Sequence, residues 1–189
     1  MGQQSMSIGW IGAGRMGFQL ATRLLTAGYD VAVYNRTKAK AEPLSALGAT
    51  IVDSPADLAG RDLVFSMVSA NKDLEEVMLG SGGLLAADNA PRYIADSSTV
   101  SMEASEKIRA AATAKGSEFL ATPVSGNPAV IEAGKLTVAV SGPRSAFDAV
   151  EPVLAHFGRG VTYVGEGEAA RLVKIAHNVM LGVVTQSLA

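Results

Sequence analysis

The 189-residue chain contains no cysteine. Disulfides, thiolate metal ligands and a cysteine nucleophile are thereby excluded, and a reducing cytoplasmic setting is expected. An excess of positive charge is also missing: 16 Lys and Arg stand against 18 Asp and Glu, a formal net charge of −2. That balance offers no basic face for nucleic acid and no acidic solvating tail. The apolar runs are too short to span a bilayer, so no membrane partner is expected. The stretch Met1-Gly2-Gln3-Gln4-Ser5-Met6-Ser7 lacks the basic and apolar segments of a secretory signal. Met6 also stands where myristoylation wants Ser or Thr. The segment reads as a short polar extension ahead of the fold. Fixed-period repeats and low-complexity linkers are absent too.

What is present is a core-forming composition, 48% hydrophobic with 20 glycines, which excludes general disorder. Short apolar runs at Ser7–Ile11, Asp30–Tyr34, Thr50–Val52, Leu63–Met67, Tyr93–Asp96, Glu118–Ala121, Leu136–Ser141 and Val161–Val164 read as buried strands. Helical segments alternate with them. Met16–Ala27 carries Met16, Leu20, Leu24 and Ala27 on one face and stops at Gly28. Lys38–Leu47 reads as a helix closed by Gly48 and disturbed by Pro43. Ser54-Pro55 opens a brief helix, Ser101 caps one starting at Met102, and Arg144–Phe157 forms another around Pro152. Such alternation predicts an α/β class: a Rossmann-type, doubly wound, mostly parallel sheet with helices on both faces.

Gly12-Ala13-Gly14-Arg15-Met16-Gly17 is a G-x-G-x-x-G between the first strand and the first helix. Gly12 permits the tight turn, Gly14 lets backbone approach a pyrophosphate, and Gly17 lets helix and strand pack closely. The pyrophosphate would rest on the free N–H groups of the helix N-terminus. An NAD-binding chain usually ends its second strand in Asp or Glu, which holds the ribose hydroxyls. Here the strand ends in Asn35-Arg36-Thr37, followed by Lys38 and Lys40. Arg36 suits a 2′-phosphate through paired N–H donors, so NADP(H) is expected over NAD(H). The alternative is that Arg36 stacks on the adenine and tolerates either cofactor.

Three hydroxyl-bearing segments follow strands: Ser66-Met67-Val68-Ser69, Asp96 to Ser101, and Thr122-Pro123-Val124-Ser125-Gly126-Asn127. Each could present donors to a carboxylate or a carboxamide, or serve merely as a loop and helix cap. From Glu168 the pattern becomes one long helix, on which Lys174, His177 and Asn178 share a face at i, i+3 and i+4. A lysine among Val173, Ile175, Ala176 and Val179 either reaches water or has a task. In a dry cleft its pKa falls, and it can transfer protons near neutral pH.

Taken together, Gly-Ala-Gly-Arg-Met-Gly, Asn-Arg-Thr, Asp-Ser-Ser-Thr, Pro-Val-Ser-Gly and Lys-Ile-Ala-His-Asn, in this order from Ile8 to Asn178, resemble the β-hydroxyacid dehydrogenases. That family includes 3-hydroxyisobutyrate dehydrogenase, glyoxylate/succinic semialdehyde reductase and 6-phosphogluconate dehydrogenase. The resemblance implies an NAD(P)-dependent 3-hydroxyacid dehydrogenase or semialdehyde reductase. It implies cofactor binding by Gly12 to Gly17, Asn35 to Thr37, Met67, Val68 and Thr99. A small carboxylate substrate would be held by Ser125, Gly126, Asn127 and His177, with Lys174 as general acid/base and Asn178 orienting the substrate. His177 matches the 6-phosphogluconate branch where many relatives carry Asn, and Asn127 replaces a second Gly found in many members. An imine reductase, or a catalytically silent dinucleotide-binding fragment, stands as the alternative. Lys174 argues against the first; for the second, Lys174 and Asn178 argue against degeneration by mutation while the length argues for incompleteness.

The final run Val179 to Ala189 is apolar and carries no helix stop signal. Residues 1–165 are therefore expected to form the nucleotide-binding domain. Residues 166–189 would be the first part of an interdomain helix whose all-α partner domain is absent. Self-association as a homo-oligomer, by resemblance a dimer, is the corresponding expectation.

Overall fold

The computed structural model describes residues 6–188; Met1 to Ser5 of the expected N-terminal extension, and Ala189, lie outside the described residues. Nine strands form one sheet: β1 (Ile8–Ile11), β2 (Val31–Tyr34), β3 (Thr50–Ile51), β4 (Leu63–Ser66), β5 (Tyr93–Asp96), β6 (Glu118–Ala121), β7 (Val124–Ser125), β8 (Thr137–Ser141) and β9 (Gly160–Gly165). Their order is β3-β2-β1-β4-β5-β6-β8-β7, with β9 also paired to β8. Pairing is parallel from β3 to β6. The direction reverses at β8, which runs antiparallel to β6 and β7 and parallel to β9. The strand order turns between β1 and β4, where a doubly wound sheet opens its ligand crevice at the strands' carboxyl ends.

The helices are α1 (Arg15–Thr26), α2 (Asn71–Leu79), α3 (Met102–Ala114), α4 (Pro128–Glu132), α5 (Arg144–Leu154) and α6 (Ala169–Ser187). α1 ends as its sequence dictates, with Gly28 at φ +89° just beyond Ala27. The Ser54 cap forms together with Asp57, each side chain serving the other's backbone. Lys38–Leu47 departs from the expected single helix. Pro43 sits in the first turn of a separate 3₁₀ segment, Glu42–Leu47, after a short one at Lys38–Lys40. A proline lacks the N–H needed to continue the preceding turn.

Strand alternation sends Ile8, Trp10, Leu63 and Phe65 into one core layer and Ile11, Val64 and Ile94 into the other. Trp10, Phe65 and Phe157 pack mutually, with ring centroids 5.2–5.9 Å apart. α6 is different in kind. Only Ala170 and Arg171 along it are buried, while Val179, Met180, Leu181 and Val183 are about 55–62% exposed. No helix among the described residues is long and apolar enough to cross a membrane.

Candidate functional site

The glycine loop behaves as its spacing demands. Gly12 has φ +102°, and a Cβ there would lie 2.2 Å from the Met67 carbonyl oxygen. A Cβ on Gly17 would lie 2.0 Å from the Gly12 carbonyl oxygen, so only glycine lets α1 sit this close to the loop. At Gly14 a Cβ would meet nothing within 4 Å. That face of the loop is open, as close approach by a ligand requires. Gly14 caps α1 without a side-chain hydrogen bond, and the first turn carries no acidic residue. The N-terminal amides of α1 thus remain a partial positive charge directed outward, the arrangement that receives a pyrophosphate.

Asn35 stiffens the loop from the end of β2. Its Oδ1 accepts from the Ala13 amide at 2.8 Å, and its Nδ2 donates to the Thr37 carbonyl at 2.8 Å. Gly12, Gly14, Asn35, Arg36, Met67 and Val68 line one cavity, joined by Thr37, Lys40, Asp73 and Glu76 at its wall. Ala13 and Gly17 lie buried beneath this cavity, Met16 packs against the core, and Arg15 is exposed at the start of α1. Arg36 is not free: its Nη1 lies 2.9 Å from Asp73 Oδ1 in α2. Sequence reading passed over α2. No side chain caps its start at Ala70, and only Leu74 and Met78 of its nine residues are buried.

A second cavity lies between β8, β9 and α6, lined by Ser125, Thr137, Ala139, Val164, Lys174 and His177, among others. Lys174 is half-buried, and the loss of hydration pushes its amine below the ordinary lysine pKa. Gly126 has φ +149° and faces Leu136 and Val130 so closely that a side chain would collide with both. Asn127 is exposed and its side chain is engaged locally, its Oδ1 capping α4 by accepting from the Val130 amide at 3.0 Å. Asn178 is exposed one turn from Lys174, and Thr99 is exposed on the loop after β5; neither lines the two cavities.

A buried charge network, absent from the sequence reading, ties these parts together. Asp96 ends β5 fully buried and accepts at Oδ1 from Ser66 Oγ (2.6 Å) and Ser98 Oγ (2.7 Å). Its Oδ2 accepts from Arg171 Nη2 at 2.6 Å. Arg171 also donates Nη1 to the Ser98 carbonyl (2.9 Å) and Nε to Glu168 (3.0 Å). Arg109 of α3 closes the set, binding Glu168 and the carbonyls of Phe119 and Gly167. The available signal was Glu168 and Arg171 at i, i+3, entering an otherwise apolar helix.

An open glycine loop on an uncapped helix, at the crevice of a doubly wound sheet, defines a dinucleotide-binding domain. Residues 7–165 match the model of the NAD binding domain of 6-phosphogluconate dehydrogenase, and the chain belongs to that family. It is 35% identical over 188 residues to 2-(hydroxymethyl)glutarate dehydrogenase of Eubacterium barkeri, covering 99% of this chain and 62% of that one. It is 36% identical over 177 residues to 3-hydroxyisobutyrate dehydrogenase of Pseudomonas aeruginosa, covering 93% of this chain and 59% of that one. The chain thus spans roughly three fifths of these relatives. Among solved structures, Psf3 in complex with NADP+ and 2-OPP superposes with a TM-score of 0.85 at 30% identity, over 96% of this chain and 67% of that one. A reductive aminase from Aspergillus terreus in complex with NADPH, cyclohexanone and allyl amine superposes at 0.82 and 28% identity, over 98% of this chain and 64% of that one. The expected fold class and family therefore hold.

Proposed function

We propose that this chain is the nucleotide-binding part of an NADP(H)-dependent oxidoreductase acting on a small 3-hydroxy acid or the matching aldehyde. The observation that carries the reading is the pairing of two sites. One is the open, uncapped glycine loop with Arg36 at its far wall; the other is the half-buried Lys174 beside Ser125. A dinucleotide bound here would supply hydride chemistry at the carbinol or carbonyl carbon of the substrate. Gly12, Gly14 and the first amides of α1 hold its pyrophosphate. Asn35, Arg36 and Thr37 hold the adenosine ribose and its 2′-phosphate. Met67 and Val68 support the nicotinamide, with Thr99 at the rim.

Ser125 and Gly126 offer donors to the substrate carboxylate. Lys174 Nζ takes the hydroxyl proton during oxidation and returns it during reduction, and as an ammonium it stabilises the developing alkoxide. Desolvation prepares the amine for this by making its neutral form accessible at lower pH. Asn178 and His177 extend the same helix face and orient the substrate from beyond the lysine. Lys174, half-buried on a cavity that also holds Ser125, supports the hydroxy-acid reading over imine reduction. The exposed apolar side chains of α6, Val179, Met180, Leu181 and Val183, offer a surface through which two copies of the chain would associate.

Lys174→Ala tests the reading in the full-length enzyme. Turnover on 3-hydroxy acids and semialdehydes should fall at least 100-fold, with NADPH affinity within twofold of the parent. Undiminished turnover in that variant refutes the assignment.

A further inference from the structure

We infer that Arg171 is the positioning residue of the site: it sets where Lys174 stands relative to the cofactor-facing loop, through a buried ionic network that packing alone does not require. The inference rests on Lys174 having the proton-transfer role proposed above.

The geometry forms a short path between the two cavities. The Val68 amide, at the wall of the first cavity, donates to Ser98 Oγ at 2.9 Å. Ser98 Oγ donates in turn to Asp96 Oδ1, and Asp96 Oδ2 accepts from Arg171. Arg171 grips the same loop a second time through the Ser98 carbonyl. Lys174 follows Arg171 by three residues and therefore lies on the same side of α6, one turn onward, where it lines the second cavity. Every guanidinium nitrogen of Arg171 is engaged: two reach Asp96 and Ser98 at the end of β5, and the third reaches Glu168 at the start of its own helix.

Packing does not explain this choice of residue. Arg171, Asp96 and Glu168 are each 6% exposed or less. Burying such charges is costly, and an apolar replacement of similar volume often stabilises a protein as well or better. The buried Arg171 and the partly buried Arg109 are balanced by two buried anions, Asp96 and Glu168, so no charge is left over. What the network supplies, and an apolar contact does not, is direction. A planar fork held at both the Asp96 carboxylate and the Ser98 carbonyl restricts the rotation and axial register of the helix against β5. Proton transfer needs such precision, because a displacement of about 1 Å at a reacting group costs on the order of 100-fold in rate.

The experiment uses a charge-balanced variant, Arg171→Met with Asp96→Asn, which leaves the Glu168–Arg109 pair intact. Arg171→Lys is a second variant that keeps the charge and loses the fork. In the full-length enzyme both should fold, bind NADPH within about threefold of the parent, and lose about 10- to 100-fold in kcat. In the 189-residue chain, trace acetylation followed by peptide mass spectrometry should show Lys174 labelled at an altered rate relative to Lys135. Folded variants with kcat within twofold of the parent and unaltered Lys174 labelling would overturn the inference and leave the network a stabilising role only. Lys174→Ala, run alongside, separates the two ideas: normal turnover there refutes the proton-transfer reading itself. If both folded variants instead unfold, circular dichroism and melting will reveal it, and a purely structural network is then the result.

Discussion

Replacing Asp73 by Asn should tighten NADP binding, an uncommon direction for a substitution inside a binding cavity. In the free chain Arg36 Nη1 sits 2.9 Å from Asp73 Oδ1, with the Arg36 side chain 81% exposed. A 2′-phosphate must take that guanidinium away from the carboxylate. An exposed ion pair is worth about 0.2–1 kcal/mol. Removing the competitor should therefore raise NADP affinity by about 1.4- to 5-fold, at 1.4 kcal/mol per tenfold. Arg36→Ala removes the proposed phosphate clamp and should weaken NADP binding by roughly 10- to 150-fold, the equivalent of about 1.5–3 kcal/mol for charge-assisted hydrogen bonds. NAD, lacking the phosphate, should respond to neither change by more than about twofold.

Titration calorimetry of both dinucleotides at one ionic strength measures all four corners of the double-mutant cycle. Salt must be held constant, because screening acts over about 8 Å near physiological strength. In the Arg36→Ala background, Asp73→Asn should yield no further gain. The reasoning fails if Arg36→Ala weakens both dinucleotides equally, or if Asp73→Asn weakens NAD. The latter would make Asp73 a ribose-hydroxyl acceptor rather than a competitor.

Other perturbations are simpler. Gly17→Ala forces a methyl into the Gly12 carbonyl; it should cost about 1–3 kcal/mol by overpacking, read as a melting point lower by about 2–12 °C, together with weakened dinucleotide binding. Asn35→Ala strips the Ala13 amide of its acceptor and should cost about 1–3 kcal/mol, visible in chemical denaturation. For Lys174 the folded-state pKa is depressed by desolvation, so the unfolded chain binds more protons between the two values. Stability should therefore rise with pH across that window, and Lys174→Met should flatten the slope in denaturation at pH 8 to 11. In catalysis the same shift moves the ascending limb of the oxidation rate, where Lys174 must lose its proton to act as base, below the ordinary lysine range, and a limb at that ordinary value would contradict it.

Strand-and-loop parts of this architecture were readable before any coordinates. Ile8–Ile11, the glycine triplet and the stop at Gly28 carry local signals, namely an apolar run, forced backbone angles and a left-handed terminus. Ser101 and Ser54 were legible as caps because their partners stand three residues on. Elements defined only by their neighbours were not. β7 is two residues held by pairing with β8, and α2 has no cap and few buried side chains. Asn127-Pro128 carried a helix-start signature that reading the segment as a substrate loop obscured. Among site residues, the cofactor loop was legible because its glycines are needed one by one. Asp96 and Arg171 were not, because their meaning is a contact across 75 positions, which no local pattern records.

The single tryptophan gains an importance that its packing did not announce. Trp10 is buried in the aromatic cluster, yet its indole Nε1 donates to the Gly12 carbonyl at 2.9 Å. A nucleotide held by the loop would lie against the peptide that this indole fixes. All the tryptophan emission of the chain thus comes from one ring wired to the loop. Occupancy of the loop should therefore register in the emission of this ring, with no label to add and no second tryptophan to subtract.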